Sequence, residues 1–330
     1  MVRRLAASWS RLALKNAPCA RSSHGLSAIG GKAYLFGGEA IARTAIDSSV
    51  HCLDVEAGAW QTLAASDGSA PVPRVGHAQC AAQDKLYVFG GRTVRHLHSN
   101  WRHLPSRAHL PCFVSIRSLT RQSIEMAPTG FGSTAHLVHL DADFGSRPLN
   151  DLWQFEPATS QWTQIEPTRG APPCPRSYHR AAALGDTLYV FGGCGESGRL
   201  ADLHAFSLSE RTWSALAPAD LLGRGGAALE TAGDCSLWMA TGFAGHETRD
   251  VMRYDLRSAS WQRVEDGWMR ARSVAASMSL PHPSGAAVVI FGGEVWRRRR
   301  CNASTPCSSP YTDPAPCPAL HCTQTNLGPR

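Results

Sequence analysis

The chain has 330 residues, 43% of them hydrophobic and only 18% charged, a balance that excludes a largely disordered protein. Thirty glycines and 21 prolines point to many turns and exclude a mostly helical fold. The net charge of +7 sits in segment 93–147 and in Arg297 to Arg300; the remainder carries 23 positive and 23 negative residues, so no nucleic-acid partner is expected.

The elements repeat in chain order. Trp9 comes first, on a short strand over residues 7–13 that has no unit of its own upstream. GLSAIG and AYLFGG then read as two strands around a turn at Gly31 and Lys32. A third strand carries Leu53 and a fourth carries Trp60, and the next unit runs to YVFGG at Gly91. From Gly90 to Trp162 the chain takes 72 residues where the other units take 19 to 23, so a non-repeat insertion is placed at 93–148. The third unit shows RAAAL and TLYVFGG around a turn at Gly185 and Asp186. The fourth holds a degenerate copy, MATGF at 239–243, read here with Gly242 as its first glycine. VIFGG ends at Gly293, and after Trp296 the text loses all strand period and is expected to be disordered over 297–330.

The spacings between landmarks are regular. Leu53, Phe155, Phe206 and Tyr254 each stand seven residues before a tryptophan, and Asp151, Asp202 and Asp250 stand eleven before one. An arginine follows each tryptophan by 11 to 14 residues: Arg21, Arg74, Arg176, Arg224 and Arg272. Four strands per roughly 50-residue unit resembles the kelch repeat and implies an all-β propeller with five recognisable four-stranded units. The GG pair is expected to end the second strand of each unit, where a Cβ would block a close backbone approach.

Equivalent positions in a propeller share one end. The five arginines are therefore expected around the channel mouth, with Arg92 beside them just after a GG pair. This is a candidate site for a small anion such as sulfate or a carboxylate. The bland alternative has each arginine bracing neighbouring blades by bonding loop carbonyls. His24, His77 and His179 stand three residues after their arginines, and that repetition argues for a structural role. The histidines of the insertion and the cysteines of the tail match no zinc spacing. Cysteine usage without CxxC pairs points to a reducing compartment, the cytoplasm, with the nucleus open through the RRRR run. No stretch is long and apolar enough to span a membrane.

Longer motif text is similar to the plant specifier proteins, the nitrile-specifier, epithiospecifier and thiocyanate-forming group. It includes ARSSHG at 20–25, LNDLW at 149–153, FGGCGESGRLADL at 191–203 and FGGEVW at 291–296. The resemblance implies six blades, with the last missing or incomplete here. It also implies Fe(II)-dependent diversion of thiohydroximate O-sulfates to nitriles, with a substrate arginine at Arg92. The family's iron ligands are Glu, Asp and His at steps of four from the position of Glu294. In this chain the second and third positions are Arg298 and Asn302, neither of which serves as an iron ligand. The text departs abruptly at 93 and at 297, as a retained intron, a shifted reading frame or a truncation would make it. The expected function is a binding module with an arginine-lined site for a small anionic ligand. The alternatives are the iron-dependent lyase and a scaffold for a protein partner.

Overall fold

The computed structural model describes residues 14–42, 44–65, 68–93, 146–233, 235–264, 269–282 and 285–294. The strand expected over 7–13, most of the insertion and the tail lie outside them. The described residues form strands and turns with no helix.

The first blade is an antiparallel sheet of β1 (Gly25–Ile29), β2 (Lys32–Phe36), β5 (Val50–Asp54) and β6 (Ala59–Leu63). A small hairpin, β3 (Glu39–Ile41) with β4 (Thr44–Ala45), projects between β2 and β5. The second blade joins β7 (Ala78–Ala82), β8 (Lys85–Thr93), β9 (Arg147–Glu156) and β10 (Gln161–Ile165). The third joins β11 (Arg180–Leu184), β12 (Thr187–Gly195), β13 (Gly198–Ser207) and β14 (Thr212–Ala215). The fourth joins β15 (Ala228–Ala232), β16 (Ser236–Ala240), β17 (Val251–Asp255) and β18 (Ser260–Arg263). The fifth unit is only a hairpin, β19 (Ala276–His282) with β20 (Gly285–Phe291), among the described residues. Among the described residues four blades are four-stranded and the fifth unit shows two strands, where five recognisable four-stranded units with the last blade missing or incomplete were expected. This is a β-propeller.

The seven-residue spacing has a simple cause. Leu53 pairs across the strands with Trp60, Phe155 with Trp162, Phe206 with Trp213 and Tyr254 with Trp261. Each hairpin thus presents two large side chains side by side. The tryptophan then packs on the phenylalanine just before the GG pair of the preceding blade's second strand. Ring centroids lie 4.9 Å apart for Phe36 and Trp162, 5.2 Å for Phe89 and Trp213, and 5.7 Å for Phe191 and Trp261. These contacts run between blades and make up much of the core.

Three details of the sequence reading change. The first turn is Gly30 and Gly31, not Gly31 and Lys32, because Ile29 pairs with Lys32. In blades two and three the GG pair does not end its strand but forms a bulge inside it, between Phe89 and Gly91 and between Phe191 and Gly193. In blade four Gly242 is the second glycine of the pair, not the first. Its N–H donates to the Arg272 carbonyl, as Gly38, Gly91 and Gly193 donate to Arg74, Arg176 and Arg224. Thr241 holds the first position with φ of +62°, which hid the unit's true phase.

A second chain of bonds winds around the axis. The N–H of Gly76 donates to Ser23, Tyr178 to Gly76, Gly226 to Tyr178 and Val274 to Gly226. All five residues have φ between 55° and 63°, the left-handed region. That conformation turns each loop so that one blade's N–H meets the previous blade's carbonyl.

Candidate functional site

Antiparallel order places every GG pair, every β2-to-β5-type loop and every arginine-bearing loop at one end of the blades. Here this is the GG end. The first layer at that end is the repeated arginine. Arg74 donates from Nε to Val72 O, from Nη1 to Gly90 O (2.9 Å) and through both Nη atoms to the Asp151 carboxylate (2.7 and 2.8 Å). Arg176 does the same with Cys174 O, Gly192 O and Asp202. Arg224 bonds Leu222 O, Thr241 O, the Thr248 hydroxyl and Asp250 (3.0 Å).

The side chains of Arg74 and Arg176 have no exposed surface. Burial works to raise the Asp151 carboxyl, but the Arg74 guanidinium holds it below the usual range. Asp202 is held down against burial by Arg176 and His204, and Asp250 by Arg263 and Arg224. The sequence reading expected these three arginines to line an open anion site; they are buried and paired instead. Each is buried and bonds a carboxylate and carbonyls of its own blade, Arg224 also the Thr248 hydroxyl, so they are braces within blades. The signal was already present in Asp151, Asp202 and Asp250, the aspartates eleven before each tryptophan.

Arg21 and Arg272 hold the same place more loosely. Arg21 donates to Gly37 O at 3.0 Å but meets Asp47 only at 3.6 Å, with His51 Nε2 at 3.3 Å. Arg272 donates to Gly292 O at 2.8 Å and has no carboxylate among the described residues.

The histidines sit beneath this layer. His179 Nε2 donates to the Phe89 carbonyl at 3.0 Å, and its ring meets Phe89 edge-on at 5.3 Å. His77 meets Phe36 likewise at 5.4 Å. Burial lowers both, His179 to about 3 with help from Arg176, so both are neutral packing groups.

A second layer lies above, at the residue directly after each GG pair. The five positions are Glu39, Arg92, Cys194, Phe243 and Glu294. Each exchanges backbone hydrogen bonds with the residue following the blade's arginine: Ser22, Val75, Ser177, Gly225 and Ser273. Their backbones are equivalent and their side chains are not. Arg92 Nε is shielded and makes no hydrogen bond among the described residues. Arg199, which pairs with Cys194 across the β12–β13 hairpin, places its guanidinium 4.6 Å from the centre of the Phe243 ring. Burial pushes the Cys194 thiol up, while the charges of Arg199 and Arg92 work to lower it. The sequence reading found Arg92 but missed Arg199, Cys194 and Phe243. Cys194 and Phe243 were findable as the residues after GG, once Thr241 was recognised as a glycine substitute. Arg199 needed the hairpin register.

Glu294 is exposed and joined by its backbone to Ser273. Positions 298 and 302 lie outside the described residues, and the side chains there, an arginine and an asparagine, do not fit iron. Among the described residues no group of three His, Cys, Asp or Glu side chains could hold a metal ion. The described cysteines, Cys19, Cys52, Cys80, Cys174, Cys194 and Cys235, are free thiols. No described helix is long and apolar enough to cross a membrane.

Comparison with known proteins agrees with the repeat fold. The KLHDC2/KLHL20/DRC7 Kelch-repeats domain model matches residues 5–106 and 142–293. The chain is 25% identical over 327 residues to the N-(sulfonatooxy)prop-2-enimidothioate sulfolyase of Thlaspi arvense, covering 90% of this chain and 77% of that protein. It is 29% identical over 196 residues to the Kelch domain-containing protein 3 of Homo sapiens, covering 54% of this chain and 49% of that one. It is 28% identical over 249 residues to the Leucine-zipper-like transcriptional regulator 1 of Mus musculus, covering 69% and 29%. The chain thus spans about half the length of the first of these two kelch relatives and less than a third of the second.

Proposed function

The chain belongs to the KLHDC2/KLHL20/DRC7 Kelch-repeats domain family, and on that premise we propose that it is a binding module whose ligand face is the GG end, with Arg92 as the anion-receiving group. One observation carries this reading. The arginine layer below repeats a buried arginine–aspartate pair in blades two, three and four, whereas the row above it reads Glu39, Arg92, Cys194, Phe243 and Glu294. A constant layer serves the fold, and a variable layer on the same backbone frame is free to serve recognition.

The face suits a protein segment with an acidic group and an apolar one. Arg92 and Arg199 offer guanidiniums that no carboxylate occupies among the described residues, which favours a bidentate carboxylate. Ile41 of the β3–β4 hairpin and Val72, Leu222 and Val274 of loops lie at the same end and are 66%, 50%, 64% and 50% exposed. Selection of random peptides on the purified chain tests the proposal. Peptides combining Asp or Glu with a large apolar residue should be enriched, and the same selection on Arg92→Ala should lose them. Enrichment that ignores acidic residues would count against it.

A second reading, an iron-dependent lyase, draws on the similarity to the sulfolyase. The residues present do not fit its metal, so no step is derived through iron. Nitrile formation from a thiohydroximate O-sulfate by the purified chain with ferrous iron would restore that reading.

A further inference from the structure

The blades differ at one place far from the GG end. Where the second and third strands begin and end, blade one pairs Lys32 with Asp54 at 3.5 Å, and blade two pairs Lys85 with Glu156 at 3.2 Å. Blade four pairs Ser236 with Asp255, and Arg253 bonds that aspartate at 3.0 Å. Blade three carries Thr187 opposite Ser207 instead, two short hydroxyl side chains. Two long side chains are thereby missing from the space between blades three and four. The result is a cleft of about 330 Å³, at the small end of the range for ligand sites.

The lining is specific in its chemistry. Thr187, Ser207, Thr212 and Ser214 supply hydroxyls, Glu210 a carboxylate, and Leu216 and Leu256 an apolar floor. The Ser207 hydroxyl donates to Asp186 at 3.1 Å and accepts from the Glu210 N–H, while Thr212 donates to the Glu210 carbonyl. Ser214 and the Glu210 carboxylate make no hydrogen bond among the described residues, and each hydroxyl retains acceptor capacity. Tyr254, 1% exposed, forms part of the wall. Its hydroxyl is shielded and makes no well-formed hydrogen bond. The nearby Ala217 carbonyl already accepts the Trp261 indole N–H at 2.9 Å. No cation lines the cleft, so it disfavours anions and differs in kind from the Arg92 face.

We propose that the cleft between blades three and four is a second binding site, for a small neutral polyhydroxylated ligand of monosaccharide size. Hydroxyls that both donate and accept match the alternating needs of a polyol, and the leucines match the C–H face of a pyranose ring. The missing Lys–carboxylate pair is what makes room for it.

The test uses the full chain and three probes: methyl α-glucoside, myo-inositol and, as a cationic control, lysine methyl ester. Amide resonances of residues 187–189, 205–216 and 254–259 should shift saturably with one of the two polyols. The double variant Thr187→Lys with Ser207→Glu rebuilds the pair of blade two and should weaken that binding at least ~10-fold. Should the double variant misfold, Ser214→Arg at the rim blocks the same cleft from an exposed position. Three results would overturn the proposal: no saturable shift with either polyol, a shift that persists undiminished in the blocked variant, or binding of the lysine ester alone.

Discussion

All five N–H groups of Arg176 have partners: Cys174 O, Gly192 O, both Asp202 oxygens and the Cys174 sulfur. A guanidinium held this way ties a loop, a second strand and a third strand of one blade together. Removing the carboxylate would leave a buried cation without its partner, so Asp202→Ala should lower the unfolding free energy by ~3 kcal/mol, read from urea denaturation. A loss under ~1 kcal/mol would show that the pair behaves like a surface ion pair. Val274 presents the opposite case. It is β-branched and holds φ of +55°, with a half-exposed side chain that contributes little packing. Val274→Gly should therefore stabilise the chain by ~1 kcal/mol in the same assay.

At the scale of elements, the link between blades is the tryptophan of one on the phenylalanine of the one before. Trp213 is 4% exposed and touches Phe89 and Phe206, whereas Trp60 is only half-buried. Trp213→Ala should cost ~3–5 kcal/mol and Trp60→Ala clearly less, as measured by chemical denaturation. The insertion is also an element-level matter. Thr93 pairs with Arg147 and Gly91 with Leu149, while in blade three Gly195 pairs with Gly198 and Gly193 with Leu200. Residues 94–146 thus occupy the place of a two-residue turn, Glu196–Ser197. Exchanging them for Glu-Ser should leave a single cooperative thermal transition; loss of that transition would show the segment to be part of the fold.

Much of this level was legible in the sequence, because the repeat carries its own ruler. A seven-residue step became a cross-strand pair, and the GG text marked the loop end of each second strand. What was not legible depended on partners. Arg74, Arg176 and Arg224 looked like a charged rim because a spacing does not say which side chain a guanidinium meets. Thr241 concealed the phase of blade four because a threonine rarely adopts a glycine's φ. Arg199 and the cleft at Thr187 required strand register, which short loops between strands leave open by a residue or two.

For the whole molecule, buried neutral histidines and ion-paired aspartates set the response to acid. His77 and His179 have folded pKa values below the ordinary 6.5, so the stability they protect is complete above pH 6.5 and is lost as pH falls toward 3. Asp151, Asp202 and Asp250 lie below their ordinary 3.8, so their share is present above that value and goes only at lower pH. The denaturation midpoint should begin to drop below pH 6.5 and fall more steeply below about 4. A midpoint flat down to pH 4.5 would contradict this assignment.

The two ends of the propeller differ in chemistry: an acidic group is received at the GG end through Arg92, and the other end holds turns and a cleft that no cation lines. The most direct measurement compares binding isotherms of one selected acidic peptide with three proteins: the unaltered chain, Arg92→Ala, and Val55→Asp, which changes an exposed turn at the opposite end. The account predicts at least ~10-fold weaker binding for Arg92→Ala and a change within ~2-fold for Val55→Asp. Equal affinity for Arg92→Ala and the unaltered chain, or a loss confined to Val55→Asp, would contradict it.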